Sequence, residues 1–162
     1  MKHLMGFSFA FSANKKLNLE FNSRKNPRNG SMSPEIPIMQ RVVHFEIYTE
    51  DPEAVQPFYQ DVFGWKFKKF EGGPVEYWLV TTGDDKDAGI NGGLLRPREG
   101  QTPGTINTIA IPSLDETIKK IEKLGGSVCV PKMAIPKMGW LAYAQDPAGN
   151  VFGLMEPDTS AK

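Results

Sequence analysis

Between Val42 and Trp65 a two-residue alternation of polar and apolar side chains gives way to helical spacing. The alternating part places His44 and Glu46 on one face, opposite an apolar face, which predicts a strand. Asp51 followed by proline is typical of a helix N-terminus, and Gly64 of a helix end. Between them apolar side chains recur three and four residues apart. The segment therefore predicts a strand, a turn and an amphipathic helix, followed by a second strand.

The same order of elements recurs in residues 105–130. There Ser113 and Glu116 form the S-x-x-E pattern of a helix capping box, and Gly125 with Gly126 ends the apolar stripe. Two more segments with strand character follow in each copy, EYWLVTT and AGINGGLLR in the first and WLAYAQD and NVFGLME in the second. We therefore predict a βαβββ unit that occurs twice, with roughly sixty residues per copy.

Three motifs, VVHFEI, FYQDVFGW and DPAGNVFGL, carry a resemblance to a known family. On these motifs the chain resembles the vicinal-oxygen-chelate superfamily of glyoxalases, bleomycin- and fosfomycin-resistance proteins and extradiol dioxygenases. The resemblance implies an α+β fold in which two βαβββ modules form a cup-shaped, mostly antiparallel eight-stranded sheet around a ligand or metal site. The expected organisation is a disordered basic extension, a domain of two modules and a short tail, at residues 1–38, 39–158 (modules 41–96 and 105–157) and 159–162.

The composition excludes several classes of function. The chain carries 19 basic and 19 acidic residues, so its charge indicates neither a nucleic-acid partner nor a membrane surface. A single cysteine, Cys129, excludes an intramolecular disulfide and favours a reducing, cytoplasmic location; its apolar neighbours predict a buried structural thiol. No apolar run is long enough to cross a bilayer, and P-loop, nucleophile-elbow, CxxC and HExxH motifs are absent.

The first 38 residues admit more than one interpretation. Up to Pro37 they carry six Lys or Arg against two Glu and are rich in polar residues, which favours a disordered extension or translation upstream of a start at Met32 or Met39. The basic start and the short apolar run LMGFSFAF leave a secretory signal peptide as the alternative.

Two segments between the predicted strands differ in character. Residues 96–104, RPREGQTPG, are rich in proline, glycine and charge and are predicted to link the modules. Residues 132–140, KMAIPKMGW, form an apolar segment that we interpret as a loop, either a lid over the cup or a subunit contact. The second alternative predicts a homodimer.

The resemblance also implies where a metal would bind, since metal-dependent members take ligands from the first and last strands of each module. His44 matches the first of these positions. The matching position in the second module is Ile106, or Asn107 with a one-residue slip, and glycine stands at the last-strand positions, at Gly153 and in INGGLL. His44 is thus the only convincing metal candidate, and we expect no tightly bound divalent metal and no other cofactor.

Alternation predicts which side chains line the cup. His44 and Glu46 share a face, where a hydrogen-bonded ion pair is the favoured arrangement. Whether Tyr77 or Trp78 faces the cup stays open, and each aromatic side chain could instead belong to the core. No Arg or Lys is placed to stabilise an enolate. The predicted ligand-binding set is His44, Glu46, Asn107, Ile109, Leu141, Tyr143 and Gly153.

These observations favour a metal-free protein that binds a small organic ligand in the cup. The alternative is a glyoxalase-like lyase or isomerase acting on a small carbonyl compound or thiol conjugate, with Glu46 and His44 as its catalytic residues. A third hypothesis is a non-enzymatic interaction module that uses the apolar segment after Val130. The fold alone does not decide among them.

Overall fold

The computed structural model describes residues 40–71 and 75–162. The predictions about residues 1–38 therefore lie outside the described residues. The elements are β1 (Val42–Tyr48), α1 (Pro52–Phe63), β2 (Lys66–Lys69), β3 (Tyr77–Thr81), β4 (Gly92–Leu95), β5 (Gly104–Ala110), α2 (Leu114–Lys123), β6 (Ser127–Ile135), β7 (Gly139–Gln145) and β8 (Val151–Pro157).

The eight strands of the described residues form one sheet in the order β2-β3-β4-β1-β5-β8-β7-β6. Within each module the first strand pairs in parallel with the last, β1 with β4 and β5 with β8. The modules meet through the antiparallel pair β1–β5, and the remaining pairs are antiparallel as well. The predicted fold of two βαβββ modules in a mostly antiparallel eight-stranded sheet is confirmed.

Both helices begin and end where local chemistry dictates. The Asp51 side chain accepts a hydrogen bond from the backbone N–H of Ala54 at 3.1 Å, and Gly64 ends α1 in the left-handed conformation at φ 71°. The Ser113 side chain caps α2 by accepting from the N–H of Glu116 at 3.4 Å. These interactions are local, which is why the sequence pattern located the helices.

The sheet has two faces with separate apolar clusters. One face carries both helices: Val55 of α1 packs with Trp78, Val80 and Leu94, and α2 packs with Ala142, Ala144 and Leu154. We call the opposite face the cup. Its two clusters are bridged by Ile106 and consist of Tyr48, Tyr77 and Leu95 in the first module and Ile135, Leu141, Tyr143 and Met155 in the second.

The interpretation of residues 132–140 as an apolar loop is wrong. This segment forms the β6–β7 hairpin, with only residues 136–138 between the strands. Ile135 is buried in the cup, and Met133 and Met138 pack against the same cluster. The apolar side chains therefore fill the sheet's own core, because the hairpin folds them onto β7. This removes the sequence support for a lid, for a subunit contact and for an interaction module built on this segment.

Cys129 and the C-terminal residues also differ from what the sequence predicts. Cys129 is exposed, because it lies on β6 at the edge of the sheet in the outward phase of the alternation, between half-buried Val128 and Val130. The segment assigned to a tail is docked at its end: Ala161 is buried, and its carbonyl accepts a hydrogen bond from the Lys137 N–H at 2.9 Å. None of the described helices has the length and apolar character needed to cross a bilayer.

Candidate functional site

Strand β1 directs three consecutive alternate side chains into the cup. His44 and Glu46 are 6% and 5% exposed, and Tyr48 is buried beside them. Because β1 lies at the centre of the sheet, flanked by β4 and β5, its side chains reach the middle of the cup floor. The polar phase of the alternation is therefore buried at the junction of the two modules.

Glu46 is held by two tyrosines. Its Oε2 accepts hydrogen bonds from the hydroxyl groups of Tyr48 and Tyr143, both at 2.8 Å. Burial raises the pKa of the Glu46 carboxyl, while the two tyrosine hydrogen bonds and the charge of Arg98 act in the opposite direction. Burial, together with the nearby Glu46 charge, also raises the pKa values of Tyr48 and Tyr143, so both hydroxyl groups stay protonated donors.

His44 has a different partner. Its Nε2 lies 3.0 Å from the hydroxyl of Tyr77. Burial lowers the pKa of His44 to about 4, opposed by a hydrogen bond to the backbone of Asn91. The ring is thus neutral at neutral pH. The predicted His44–Glu46 ion pair is wrong, since burial disfavours the charged imidazole and the hydrogen bonds of Glu46 go to tyrosines instead.

Two glycines make room for these neighbours. A Cβ at Gly93 would lie 1.8 Å from the hydroxyl oxygen of Tyr77, so the Tyr77–His44 contact depends on this glycine. A Cβ at Gly153 would lie 2.4 Å from Oγ1 of Thr108. Thr108 is 0% exposed, and its hydroxyl has no hydrogen-bond partner among the described residues. Thr108 occupies the same position in β5 that Glu46 occupies in β1, four residues after the first residue of the strand.

The residues present do not fit a bound metal ion. The hydroxyl groups of Tyr77 and Thr108 occupy the space where side chains at Gly93 and Gly153 would point. Within the described part of the chain, no three His, Cys, Asp or Glu side chains are grouped so that they could hold a metal. The absence of a tightly bound metal stays a prediction. On the first and last strands of the two modules, the residues on the cup face are His44 and Glu46 of β1, Gly93 of β4, Ile106 and Thr108 of β5, and Gly153 of β8.

The structure brings most, but not all, of the predicted ligand-binding residues together. Leu141 and Tyr143 of β7 lie in the cup, and Gly153 pairs directly with Tyr143. Asn107 and Ile109 do not lie in the cup. Asn107 pairs with Phe45 on the helix side, and Ile109 packs in the cluster beneath α2. The predicted one-residue slip in β5 is the error, because such a shift turns every side chain of a strand to the other face.

Four neighbours of this cluster are absent from the predicted ligand-binding set. Tyr48 follows His44 and Glu46 in the same phase, so alternation alone could have identified it. Tyr77, left undecided against Trp78, faces the cup. Thr108 becomes visible only through the β1–β5 register. Arg98 lies in the linker between the modules and interacts electrostatically with Glu46, although no Arg or Lys was expected near this group.

Comparison with known proteins gives a family match and two curated relatives of the same name. Residues 41–83 match the family model described as bleomycin resistance protein-like N-terminal. The candidate glyoxylase CFP32 of Mycobacterium bovis and of Mycobacterium tuberculosis is 26% identical over 113 residues, which is 69% of this chain. The aligned part is 42% of that protein, so the chain spans about two fifths of the length of the curated relatives it matches.

Solved structures share the fold. Methylmalonyl-CoA epimerase from Mycobacterium tuberculosis aligns with a TM-score of 0.56 and 14% identity, covering 80% of this chain and 94% of the epimerase. A methylmalonyl-CoA epimerase in complex with methylmalonyl-CoA and NH4+ aligns with a TM-score of 0.56 and 18% identity over 76% of this chain and 99% of that one.

A glyoxalase/bleomycin resistance protein/dioxygenase superfamily member from Vibrio splendidus aligns with a TM-score of 0.52 and 17% identity, covering 74% of this chain and 100% of that one. The chain thus shares its fold with a member of the glyoxalase/bleomycin resistance protein/dioxygenase superfamily, and its residues 41–83 match a bleomycin resistance protein-like family model.

Proposed function

We propose that this protein binds a small organic ligand in the cup without a tightly bound metal. The observation that carries the proposal is the arrangement around Glu46. Its Oε2 accepts hydrogen bonds from two tyrosines, one from each module, which fixes the carboxyl group. Around it, among the described residues, lie the apolar clusters of both modules. A few fixed polar groups in an apolar concavity are the usual composition of a small-molecule site.

The site is organised before any ligand arrives. Tyr48 and Tyr143 come from different modules, and both orient the same carboxyl group. Tyr77 orients the neutral ring of His44 in the same way. Such fixed side chains lose little freedom on binding, which favours affinity.

A thermal-shift screen tests the proposal. Small carbonyl compounds, thiol conjugates and aromatic drugs are tested against the wild type, Glu46→Gln and Glu122→Gln. Glu122 is exposed on α2, so its substitution removes the same charge far from the cup. We expect ligands that stabilise the wild type and Glu122→Gln but not Glu46→Gln. Hits that stabilise all three proteins equally, or a screen without hits, would contradict binding at this site.

A second candidate function is that of a lyase or isomerase, favoured by the electrostatic interaction between Arg98 and Glu46. In such a reaction the ionised Glu46 takes a proton from carbon next to a carbonyl group, and the electron pair moves onto the carbonyl oxygen. Arg98 would stabilise the resulting negative charge, and Glu46 returns the proton. The names of CFP32 and of the epimerases support this choice of chemistry. Exchange of that carbon-bound hydrogen in D2O, followed by NMR, should occur with wild type and stop in Glu46→Gln.

Homodimer formation also stays a prediction, now based on exposed apolar side chains of α1 instead of residues 132–140. The segment from which it was inferred forms the β6–β7 hairpin, where Ile135 is buried and Met133 and Met138 pack against the same cluster. The large apolar side chains exposed on α1 are Phe58, Val62 and Phe63, which a contact between two copies could cover. Size-exclusion chromatography with light scattering distinguishes a dimer from a monomer.

A further inference from the structure

Thr108 carries a buried hydroxyl group that is left without a hydrogen bond. The residue is 0% exposed, and no described residue forms a hydrogen bond with its Oγ1. An unpaired buried hydroxyl group destabilises the folded state, because it has given up its hydrogen bonds to water. Most buried polar groups in proteins are paired, so this exception is expected to serve a purpose other than stability.

Strand pairing places Thr108 in the middle of the cup floor. It lies directly opposite His44 of β1 on one side and Gly153 of β8 on the other, and Gly153 pairs in turn with Tyr143 of β7. These residues form one row across the cup face. Glu46 is two residues beyond His44 on the same face of β1, which makes it the diagonal neighbour of Thr108. The unpaired hydroxyl group therefore belongs to the same surface as the polar cluster around Glu46.

The hydroxyl group of Thr108, and not its methyl group, is turned toward Gly153. The point at which a Cβ of Gly153 would stand is 2.4 Å from Oγ1 of Thr108, compared with 3.1 Å from its Cβ and 3.2 Å from its Cγ2. Apart from Gly153 and its neighbours in the chain, no residue comes closer to this point than Thr108 does. Glycine at this position thus leaves the cup surface beside the hydroxyl group without a side chain of its own.

The groups around Thr108 favour an uncharged partner for its hydroxyl group. Glu46 is a buried carboxyl group, and an anionic ligand group beside it meets like charge whenever Glu46 is ionised. The ring of His44 is neutral at neutral pH and supplies no compensating positive charge. An uncharged acceptor oxygen, such as that of a carbonyl group, accepts the hydrogen bond from Thr108 without this repulsion.

We propose that Thr108 is a ligand-binding residue of the cup, whose hydroxyl group donates a hydrogen bond to an uncharged acceptor oxygen of the ligand. This inference rests on the proposed ligand binding in the cup and adds a binding residue and the acceptor that the ligand carries. The ligand reaches Thr108 by displacing the side chains that cover it, and side-chain adjustments of this kind are common on binding. The new hydrogen bond satisfies the unpaired hydroxyl group and so adds to affinity.

The matched probes are acetophenone and ethylbenzene, which differ in the carbonyl oxygen. Their dissociation constants are measured by NMR titration of the isotope-labelled full chain. The proteins are the wild type, Thr108→Val, Thr108→Ser and, as a control, Thr105→Val. Thr105 is exposed on the same strand and lies opposite Ile47, which packs on the helix side of the sheet. The control therefore makes the same substitution on the other face of β5.

The quantity compared is the dissociation constant of ethylbenzene divided by that of acetophenone. We expect this ratio to fall about tenfold in Thr108→Val, the size of one buried hydrogen bond. Thr108→Ser keeps the hydroxyl group, so it and Thr105→Val should keep the wild-type ratio. Without ligand, Thr108→Val should unfold at the same urea concentration as the wild type or at a higher one, because valine has nearly the same shape and no hydroxyl group to leave unpaired.

The outcomes separate this inference from the proposed function. An unchanged ratio in Thr108→Val, or an equal fall in Thr108→Ser or Thr105→Val, would overturn the contact while leaving ligand binding in the cup intact. A lower urea midpoint for Thr108→Val would also overturn it, since the hydroxyl group would then be hydrogen-bonded in the free protein, as to a buried water molecule. Binding of neither probe would overturn the assignment of an uncharged acceptor, whereas the thermal-shift screen with Glu46→Gln decides ligand binding itself.

Discussion

Protonation of His44 should destabilise the protein as the pH falls. The ordinary pKa of histidine, 6.5, describes the unfolded chain, while burial lowers the pKa of His44 to about 4 in the folded protein. The folded state therefore binds this proton more weakly than the unfolded state does. The resulting contribution to stability is complete above about pH 6.5 and is lost as the pH falls toward 4.

The size of this effect follows from the two pKa values. At about 1.36 kcal/mol for each pKa unit, the difference corresponds to about 3 kcal/mol of unfolding free energy. A change of this size is a large part of the total stability of an ordinary domain. It should be visible in urea denaturation at pH 7.5 and at pH 4.5.

The matched variant is His44→Gln, which cannot ionise but can still accept a hydrogen bond from the buried Tyr77 hydroxyl. Glu46 contributes with the opposite sign: its raised pKa adds stability below about pH 4.5, which is lost as the pH rises through its folded pKa. This contribution is present in both proteins and largely cancels in the comparison. We expect the wild type to lose about 2–3 kcal/mol more than the variant between the two pH values. The same pH dependence in both proteins would refute the buried, neutral His44 described above.

Three further predictions concern the same cluster. Gly93→Ala should lower the free energy of unfolding, measured by urea titration, by about 2 kcal/mol or more, because its Cβ would collide with the Tyr77 hydroxyl. The control is Gly83→Ala, whose Cβ meets nothing within 4 Å and which should be nearly neutral. Tyr143→Phe removes one of the two donors to Glu46 and should cost about 1 kcal/mol; calorimetric unfolding at neutral pH measures it, and an unchanged midpoint would contradict the hydrogen bond. Elemental analysis of protein purified in excess zinc or nickel should find no stoichiometric metal, and one tightly held ion per chain would refute that expectation.

Much of the fold could be predicted because its signals are local. Asp51, Gly64 and the S-x-x-E pattern at Ser113 act within one helical turn, so they located both helices. Alternation in β1 likewise assigned His44 and Glu46 to one face correctly. The repeat of these local signals was sufficient to predict two βαβββ modules.

Where local signals are ambiguous, prediction failed. The apolar residues 132–140 carry no clear period, so the sequence could not show that they form the β6–β7 hairpin of the sheet. In β5, a one-residue uncertainty in phase exchanged the two faces and put Asn107 and Ile109 on the wrong side. Only pairing with β1 selects the correct phase.

The chemistry of the site depends on tertiary structure throughout. Glu46 and Tyr143 are 97 positions apart in the sequence, and His44 and Tyr77 are 33 apart, so no local pattern joins them. The pKa values of His44 and Glu46 move in opposite directions because burial penalises the charged form of each group. The sequence determined which residues could face the cup. Their depth, partners and charge state were decided by the packing of the two modules, because desolvation and hydrogen bonding arise only when distant strands meet.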